Sequence, residues 1–250
     1  MYHEVKNKET GQWEFKGEAY GGRNYDAFAI LADVRNGRGF AGVKTGEGFN
    51  PIADPKGVPS DASAEYKERV EDWEGDGHSH SYFTVAELKA YDWNQTTIKS
   101  GLVGLGVGSN SPFGKGFAEM HEEGRTDEVP SMYFGGGTGV QISKEDAIKL
   151  LDKMNGDHSK EALIKAIQEI DISFIEEGSI FRPSTDVPKD VFIKWLQEGN
   201  NRSLINVRLS WETAYKEAAG GFYESLLEET PSQYPNATDD EIRYVFFFDN

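Results

Sequence analysis

The stretch Leu204-Ile-Asn-Val-Arg-Leu-Ser-Trp211 alternates apolar and polar side chains along its length. Successive side chains of a β-strand point to opposite faces of a sheet, so this alternation predicts a strand with one buried face. Two more strands are predicted outward from it. Residues 12–16 alternate in the same way near the start of the sequence, and residues 241–248 form an aromatic-rich run near its end.

Helix signals lie between these strands. Thr84 and Glu87 have the spacing of a capping box, and Ser143 precedes an amphipathic stretch over residues 144–154. Residues 24–34 also carry apolar side chains at helical spacing. We therefore expect an α+β fold, in which one mixed or antiparallel sheet holds the three strands, with helices on one face and a glycine-rich helical insertion.

Glycine-rich stretches indicate how the chain is organised. Six glycines lie in residues 101–116, and residues 135–139 read Gly-Gly-Gly-Thr-Gly. These stretches predict an N-terminal α+β part over residues 1–95 and a glycine-rich and helical insertion over residues 96–200. A C-terminal part over residues 201–250 returns to the core sheet, and the sequence leaves open whether it forms one domain with residues 1–95.

Composition narrows the class of protein. The 250 residues are 37% apolar and include 15 Phe, 11 Tyr and 5 Trp, which is enough to bury a core. The sequence has no cysteine, no signal-peptide pattern and no apolar run near the ~20 residues that span a bilayer. We therefore expect a cytoplasmic protein without membrane contact.

The charge is strongly negative and unevenly spread. The net charge is −17, yet residues 1–45 carry seven basic and six acidic side chains. An acidic surface repels phosphate backbones, so direct binding of nucleic acid is not expected. The same surface could attract a basic protein partner, although solubility alone also explains it.

The most chemically suggestive stretch is Asp76-Gly-His-Ser-His80. On a regular strand, residues two apart point to the same face, so Asp76, His78 and His80 would lie together. Two neutral imidazoles and a carboxylate suit zinc or another divalent metal. No further ligand can be named from the sequence. The alternative is that the histidines hydrogen-bond the neighbouring loop and order it.

A second candidate site lies in a glycine-rich segment, at Asp33, Arg35, Asn36 and Arg38. Arginines beside open backbone amides can hold a phosphate or a carboxylate. The same side chains can instead form ion pairs that pin a long loop, and this structural role is the one that the pattern favours.

No catalytic motif is complete. The glycines of Gly104–Gly108 have the wrong spacing for a dinucleotide-binding turn, and Gly114–Gly116 lacks the Ser or Thr of a phosphate-binding loop. The Gly-x-Ser-x-Gly signature of esterases is absent. The sequence names no catalytic residue and no cofactor, and we expect a binding protein and not an enzyme.

Several stretches resemble a family of phage-encoded proteins without an assigned function. They are Tyr25–Gly37, Ile52–Asp61, Asp76–Trp93 and the ending Arg243–Asn250, which is similar to the terminal strand of that family. In size and character the chain also resembles the viral inhibitor of the Gabija anti-phage defence system. That inhibitor assembles around its target nuclease complex and blocks access of DNA.

The resemblance implies an inhibitor that acts in the cytoplasm of an infected bacterial host. It would bind a host defence protein complex, self-associate as a homo-oligomer, and occlude the surface on which the target holds nucleic acid. The residues expected to be exposed for this contact are Phe113, Phe117, Met132, Tyr133 and Phe134.

Two alternatives stay open at this point. One is a metal-dependent hydrolase of a nucleotide or phosphoester that uses Asp76, His78 and His80. The other is a protein that sequesters a nucleotide signal with Arg35, Arg38 and the backbone around them.

Overall fold

The computed structural model describes residues 1–39, 42–73, 75–107, 116–130, 133–134, 138–178 and 182–249. The chain forms two compact units that are interleaved in sequence. Unit 1 comprises Met1–Gly37, Glu47–Thr97 and Thr213–Asn250, and unit 2 comprises Arg38–Gly46 and Ile98–Glu212.

Helices and strands alternate irregularly along the chain, as in an α+β fold. In chain order they are β1 (Tyr2–Lys6), β2 (Trp13–Glu18), α1 (Tyr25–Ala32), α2 (Ala64–Asp72), β3 (His78–Thr84), α3 (Val85–Ala90), β4 (Thr96–Gly104), α4 (Gly116–Glu122), β5 (Val140–Ser143), α5 (Lys144–Met154), α6 (Lys160–Glu169), β6 (Phe174–Glu176), β7 (Thr185–Val187), α7 (Lys189–Glu198), β8 (Ile205–Ala214), α8 (Tyr215–Ala219), α9 (Gly221–Glu224), α10 (Thr230–Ser232) and β9 (Ile242–Phe248). The predicted α+β class is confirmed.

Unit 1 is built on an antiparallel sheet with the strand order β2-β1-β9-β3. Strand β9 follows all other strands in the sequence but lies in the interior of this sheet. Its alternate residues Tyr244 and Phe246 pack into a core with α1, α3, α8 and α9. Val245 points to the opposite face, where it packs against Tyr66 of α2. The sheet of unit 1 therefore has helices on both faces.

A buried arginine ties three segments of unit 1 together. Arg243 of β9 donates from Nε to Glu4 of β1 at 2.7 Å and from Nη1 to Asp61 at 2.7 Å. Its guanidinium also lies 4.1 Å from the ring centre of Trp13. The Glu4 side chain is fully buried, so the ion pair supplies the charge compensation that this carboxylate needs.

Unit 2 is built on a mixed sheet with the strand order β4-β8-β5-β6-β7. Strands β5 and β8 are parallel, and the chain between them crosses over through α5, α6 and α7. The core under this sheet is mostly aliphatic, with Leu150 and Ile167 of the helices packed against Val140 and Val207 of the strands.

A second arginine holds the polar face of this sheet. Arg208 of β8 donates to Gln141 at 2.7 Å, to Ser100 at 3.2 Å and to Glu177 at 2.6 Å. Burial raises the pKa of Glu177, while the guanidinium of Arg208 opposes that effect. The Arg208 side chain keeps about a quarter of its surface exposed (27%), unlike Arg243 at 4%.

The prediction of a single sheet is wrong. The strand predicted at 204–211 is present as β8, but it pairs with β5 in unit 2 and not with the first and last strands. Alternation fixes which face of a strand is buried but carries no information about its partner. The C-terminal segment of unit 1 accordingly begins at Thr213, and residues 201–212 belong with unit 2.

Helix ends follow the local signals. Thr84 and Glu87 form the predicted capping box at the start of α3, and the Ser143 side chain accepts a hydrogen bond at the start of α5. The helix predicted over residues 24–34 ends earlier, at Ala32, because Asp33 adopts a left-handed conformation with φ of 58°. Among the described residues, no helix combines the length and apolar character that crossing a bilayer requires.

Candidate ligand-binding cleft

The register of the sheet in unit 1 brings one end of each of its four strands to the same edge of the sheet. This edge is formed by strand ends and not by an outer strand. Tyr2, at the start of β1, lies opposite Glu18, at the end of β2, and opposite Val245 of β9. His78, at the start of β3, lies opposite Phe248, at the end of β9. Side chains from both faces of the sheet can therefore meet at this edge.

A cleft of about 310 Å³ opens at this edge of the sheet. We call it the aromatic cleft, after the side chains that dominate its lining. These are Tyr2, Tyr20, Phe28, Trp73, Phe222, Phe246, Phe247 and Phe248. The charged residues of the lining are Glu18, Arg23 and Asp249. Aromatic rings with a few charged groups among them can hold and orient a small molecule, and this volume lies at the lower end of the usual range for small-molecule sites.

Ring contacts fix the shape of the aromatic cleft. Phe28 of α1 packs on Phe248 with ring centres 4.7 Å apart, and Tyr20 meets Phe222 edge-on at 5.2 Å. Trp73 contacts Phe247 at 5.9 Å and keeps 41% of its surface exposed. Aromatic pairs prefer such tilted and edge-on geometries, and the exposed part of Trp73 is open to a ligand.

A smaller cavity of about 30 Å³ adjoins the aromatic cleft. It shares four lining residues with the cleft: Arg23, Phe28, Phe248 and Asp249. The remaining lining residues are Tyr25, Val34, Arg35 and His78. We call this cavity the side pocket. In a chain whose net charge is −17, two arginines against one aspartate make the side pocket locally basic.

Arg35 is the polar anchor of the side pocket. Its backbone is left-handed, with φ of 54°, and its guanidinium stacks 4.8 Å from the ring centre of Tyr25. The Nη1 atom is buried and has no hydrogen-bond partner among the described residues. A buried donor without a partner is costly, so a guanidinium of this kind beside a cavity points to an acceptor that arrives from outside.

The side pocket also contains an ion pair, between Arg23 and Asp249, which contributes little to stability. Arg23 lies 3.4 Å from Asp249, and both side chains are largely exposed. Exposed ion pairs of this type contribute roughly 0–1 kcal/mol, so Arg23 is available to another anion at little cost.

The remaining residues of the predicted arginine site have structural roles. The Asn36 side chain donates to Asp33 and to the Phe49 carbonyl, both at 2.7 Å, and accepts from the Phe49 amide at 2.6 Å. Arg38 belongs to unit 2, where Nη1 donates to the Gly42 carbonyl at 3.2 Å. Of the four predicted residues, Arg35 lines the side pocket, and the other three line neither the side pocket nor the aromatic cleft.

A bulge in β3 overturns the predicted arrangement of the histidines. His78 lies opposite Phe248 and Ser81 lies opposite Phe246, so three steps along β3 match two steps along β9. Ser79 takes up the extra residue with φ of 52°. Such a bulge shifts the alternation of side chains by one, and residues 78 and 80 therefore do not share a face.

Ring contacts confirm that the two histidines have separated. His78 lies near Phe248, with ring centres 6.1 Å apart, and His80 lies near Phe247 at 5.3 Å. These phenylalanines are neighbours in β9 and point to opposite faces. Burial lowers the pKa of His80, which favours its neutral form. Within the described ranges, no group of three or more metal-ligating side chains is present, so Asp76, His78 and His80 do not form the predicted cluster.

The residues predicted to bind a partner differ in their exposure to solvent. Phe117 is fully buried in the core of unit 2, because α4 turns this side chain inward, so it is not available as a surface contact. Tyr133 is 42% exposed and meets Trp211 edge-on at 4.6 Å. Phe134 forms a β-bridge with Leu102. Phe113 and Met132 lie outside the described residues.

Sequence reasoning missed most of the cleft. Arg23 follows the Gly21-Gly22 turn, and Trp73 ends α2, but neither position carries a recognisable motif. The signal that could have found the site is the aromatic ending Phe246-Phe-Phe248, because a strand with aromatic side chains on both faces indicates burial on both faces. No protein family, curated protein or solved structure matches this chain.

Proposed function

We propose that unit 1 is a binding module that captures a small ligand of the nucleotide class, with a planar ring in the aromatic cleft and an anionic group in the side pocket. The observation that carries this proposal is Arg35, which lines a cavity beside an aromatic cleft and whose buried Nη1 has no hydrogen-bond partner among the described residues.

The aromatic cleft suits a planar ring. Trp73 presents a partly exposed indole, and stacking of a base on an aromatic side chain contributes about 1–3 kcal/mol. A volume of about 310 Å³ favours a ligand of mononucleotide size over a larger one.

Capture, and not turnover, is the activity that this arrangement supports. The hydrolase alternative depends on a joint site for His78 and His80, and the bulge at Ser79 places the two rings on opposite faces of the sheet. In the setting implied by the phage resemblance, a protein that captures a nucleotide signal in the host cytoplasm would withhold it from a defence system.

Isothermal titration calorimetry tests the proposal. The panel holds ribonucleosides, their 5′-monophosphates, purine cyclic dinucleotides and ADP-ribose. We expect saturable binding of at least one compound, and a loss of roughly 5- to 100-fold in affinity for Trp73→Ala. Tyr133→Ala, an exposed aromatic of unit 2, is the matched control and should bind as the wild type does. Flat titrations for the whole panel would refute the proposal.

A second candidate is the inhibitor that occludes a host defence protein complex. It is favoured by two exposed apolar side chains of unit 2, Val129 at 52% and Tyr133 at 42%, on a strongly acidic chain. Mass photometry of material captured from lysates with a known defence system would support it if one stoichiometric complex is recovered and Tyr133→Ala weakens it. Recovery of the protein alone would count against it.

A further inference from the structure

We infer that the side pocket takes a terminal phosphate, so that unit 1 prefers a nucleoside monophosphate to both the free nucleoside and a cyclic dinucleotide. This inference rests on the proposed function and deepens it, because it names the class of ligand and the residues that select it.

The size of the side pocket favours a terminal group. One water needs roughly 10–15 Å³ of such space, so the pocket of about 30 Å³ has room for about two waters. A phosphate monoester can place its free oxygens in such a pocket end-on. The phosphate of a cyclic dinucleotide carries a sugar on both ester oxygens, so it has no free end to insert.

The charges of the side pocket favour a phosphate over a neutral group. Arg35 offers a guanidinium whose Nη1 has no partner among the described residues, and Arg23 lines the same pocket. A guanidinium can donate two parallel hydrogen bonds to a phosphate, and charge-assisted bonds of this kind are about twice as strong as neutral ones. Neither arginine would have a comparable partner in a free nucleoside.

Arg35 is already held in place for this role. Its guanidinium carbon lies 4.8 Å from the ring centre of Tyr25, and this contact restrains the side chain before any ligand arrives. The side chain therefore loses little conformational freedom on binding, and the affinity gained from each hydrogen bond is correspondingly larger.

Asp249 acts as an internal competitor for Arg23. In the ligand-free protein its carboxylate lies 3.4 Å from the Arg23 guanidinium and lines both cavities. A phosphate that enters the side pocket must displace this carboxylate or lie beside its negative charge. Removal of the charge in Asp249→Asn is expected to raise the affinity for a monophosphate by roughly 2- to 5-fold.

The test compares three ligands on four proteins by calorimetry. The ligands are the nucleoside that binds best, its 5′-monophosphate and the cyclic dinucleotide of the same base. For the wild type, the monophosphate is expected to bind roughly 10- to 100-fold more tightly than the other two. Arg35→Gln should reduce this preference to roughly 3-fold or less, and Asp249→Asn should increase it. Arg38→Gln is the control. Arg38 lies three residues after Arg35 in the sequence but lines neither cavity, so this variant should leave the preference for the monophosphate unchanged.

The outcomes separate the two proposals. Tighter binding of the cyclic dinucleotide overturns the inference and leaves the proposed function standing, because its phosphates are anionic too. Equal binding of nucleoside and monophosphate overturns the inference and also removes the anionic group from the proposed function, so that only the ring in the aromatic cleft is left of it. An unchanged preference in Arg35→Gln also overturns the inference. If none of the ligands binds, the proposed function fails and the inference fails with it. Should Arg35→Gln not fold, Arg23→Gln supplies the same comparison, because 70% of the Arg23 side chain is exposed.

Discussion

The two units bury different kinds of side chain. The core of unit 1 is rich in aromatic rings, including Phe83, Trp93, Phe222, Tyr244 and Phe246, whereas that of unit 2 is mostly Leu, Ile, Val and Ala with three phenylalanines. Aliphatic side chains fill the space between helices and a sheet closely. Large flat rings at the end of a sheet leave concave surface between them, and the aromatic cleft lies in the unit that uses them.

The units also differ in how they hold charge. In unit 1, Arg243 and Glu4 form a buried pair whose side chains are at most 4% exposed. In unit 2, Arg208 pairs with Glu177 but stays about a quarter exposed. If the arginine is removed, water can solvate the charge of Glu177 in unit 2 better than that of the fully buried Glu4 in unit 1.

The largest expected effect comes from removing the buried arginine of unit 1. Arg243→Met leaves the fully buried Glu4 carboxylate without its partner and should lower the free energy of unfolding by about 3–5 kcal/mol. Arg208→Met in unit 2 should cost only about 1–3 kcal/mol, since Glu177 retains some access to water. Urea unfolding measured by circular dichroism gives both values. Equal losses of unfolding free energy in the two variants would show that burial of the ion pair does not distinguish the two units.

The backbone gives a second, smaller contrast. Gly139 precedes β5 in unit 2 with φ of 102°, and an added Cβ would lie 2.2 Å from the Leu204 carbonyl oxygen. Gly57 in unit 1 has φ of 82° with nothing within 4 Å of an added Cβ. Gly139→Ala should cost about 3 kcal/mol, from backbone strain together with a clash.

The matched variant Gly57→Ala should cost about 1 kcal/mol, from backbone strain alone. Thermal unfolding of the two purified variants, compared with the wild type, measures the difference. A larger loss for Gly57→Ala would mean that the loop of unit 1 is held more tightly than its surroundings indicate.

We expect acid to lower the free energy of unfolding of unit 1, because His3 is buried there in its neutral form. This side chain is buried against Tyr234, with Nε2 2.9 Å from the hydroxyl, and burial lowers its pKa from the ordinary value of 6.5. Below about pH 6.5 the unfolded chain therefore binds a proton that the folded chain does not, so stability falls as the pH falls and is unaffected by His3 above that range.

Urea unfolding at pH 7.5 and pH 5.5 measures this loss. His3→Gln keeps a polar partner for Tyr234 but does not titrate, so the difference between the two pH values should shrink. The same difference in wild type and variant would show that His3 is not the acid-sensitive group.

The sequence predicts local features of both units and fails where distant residues cooperate. The strand at 204–211 and the caps at Thr84 and Ser143 were predicted because each depends on a few adjacent side chains. Strand β1 was missed because it buries Glu4, and a glutamate does not look like a core residue until Arg243, 239 positions away, is known to pair with it.

The site follows the same rule. The arginine pattern makes Arg35 a candidate anion ligand but favours a structural role for it. Arg23, Trp73 and Asp249 come near it only because the register of β9 brings their segments to one edge of the sheet. The separation of His78 and His80 depends on one inserted residue, Ser79, whose conformation no spacing rule predicts.

The position of β9 also sets an order of events during synthesis on the ribosome. Unit 2 has all of its residues once Glu212 has emerged, and its core needs nothing that is translated later. Strands β1 and β3 have been exposed since early in translation, yet they are joined only by β9, which is made after every other strand. We therefore expect unit 2 to fold on the nascent chain before unit 1 can complete its sheet. Until β9 is made, β1 and β3 have unpaired edges to which a chaperone could bind.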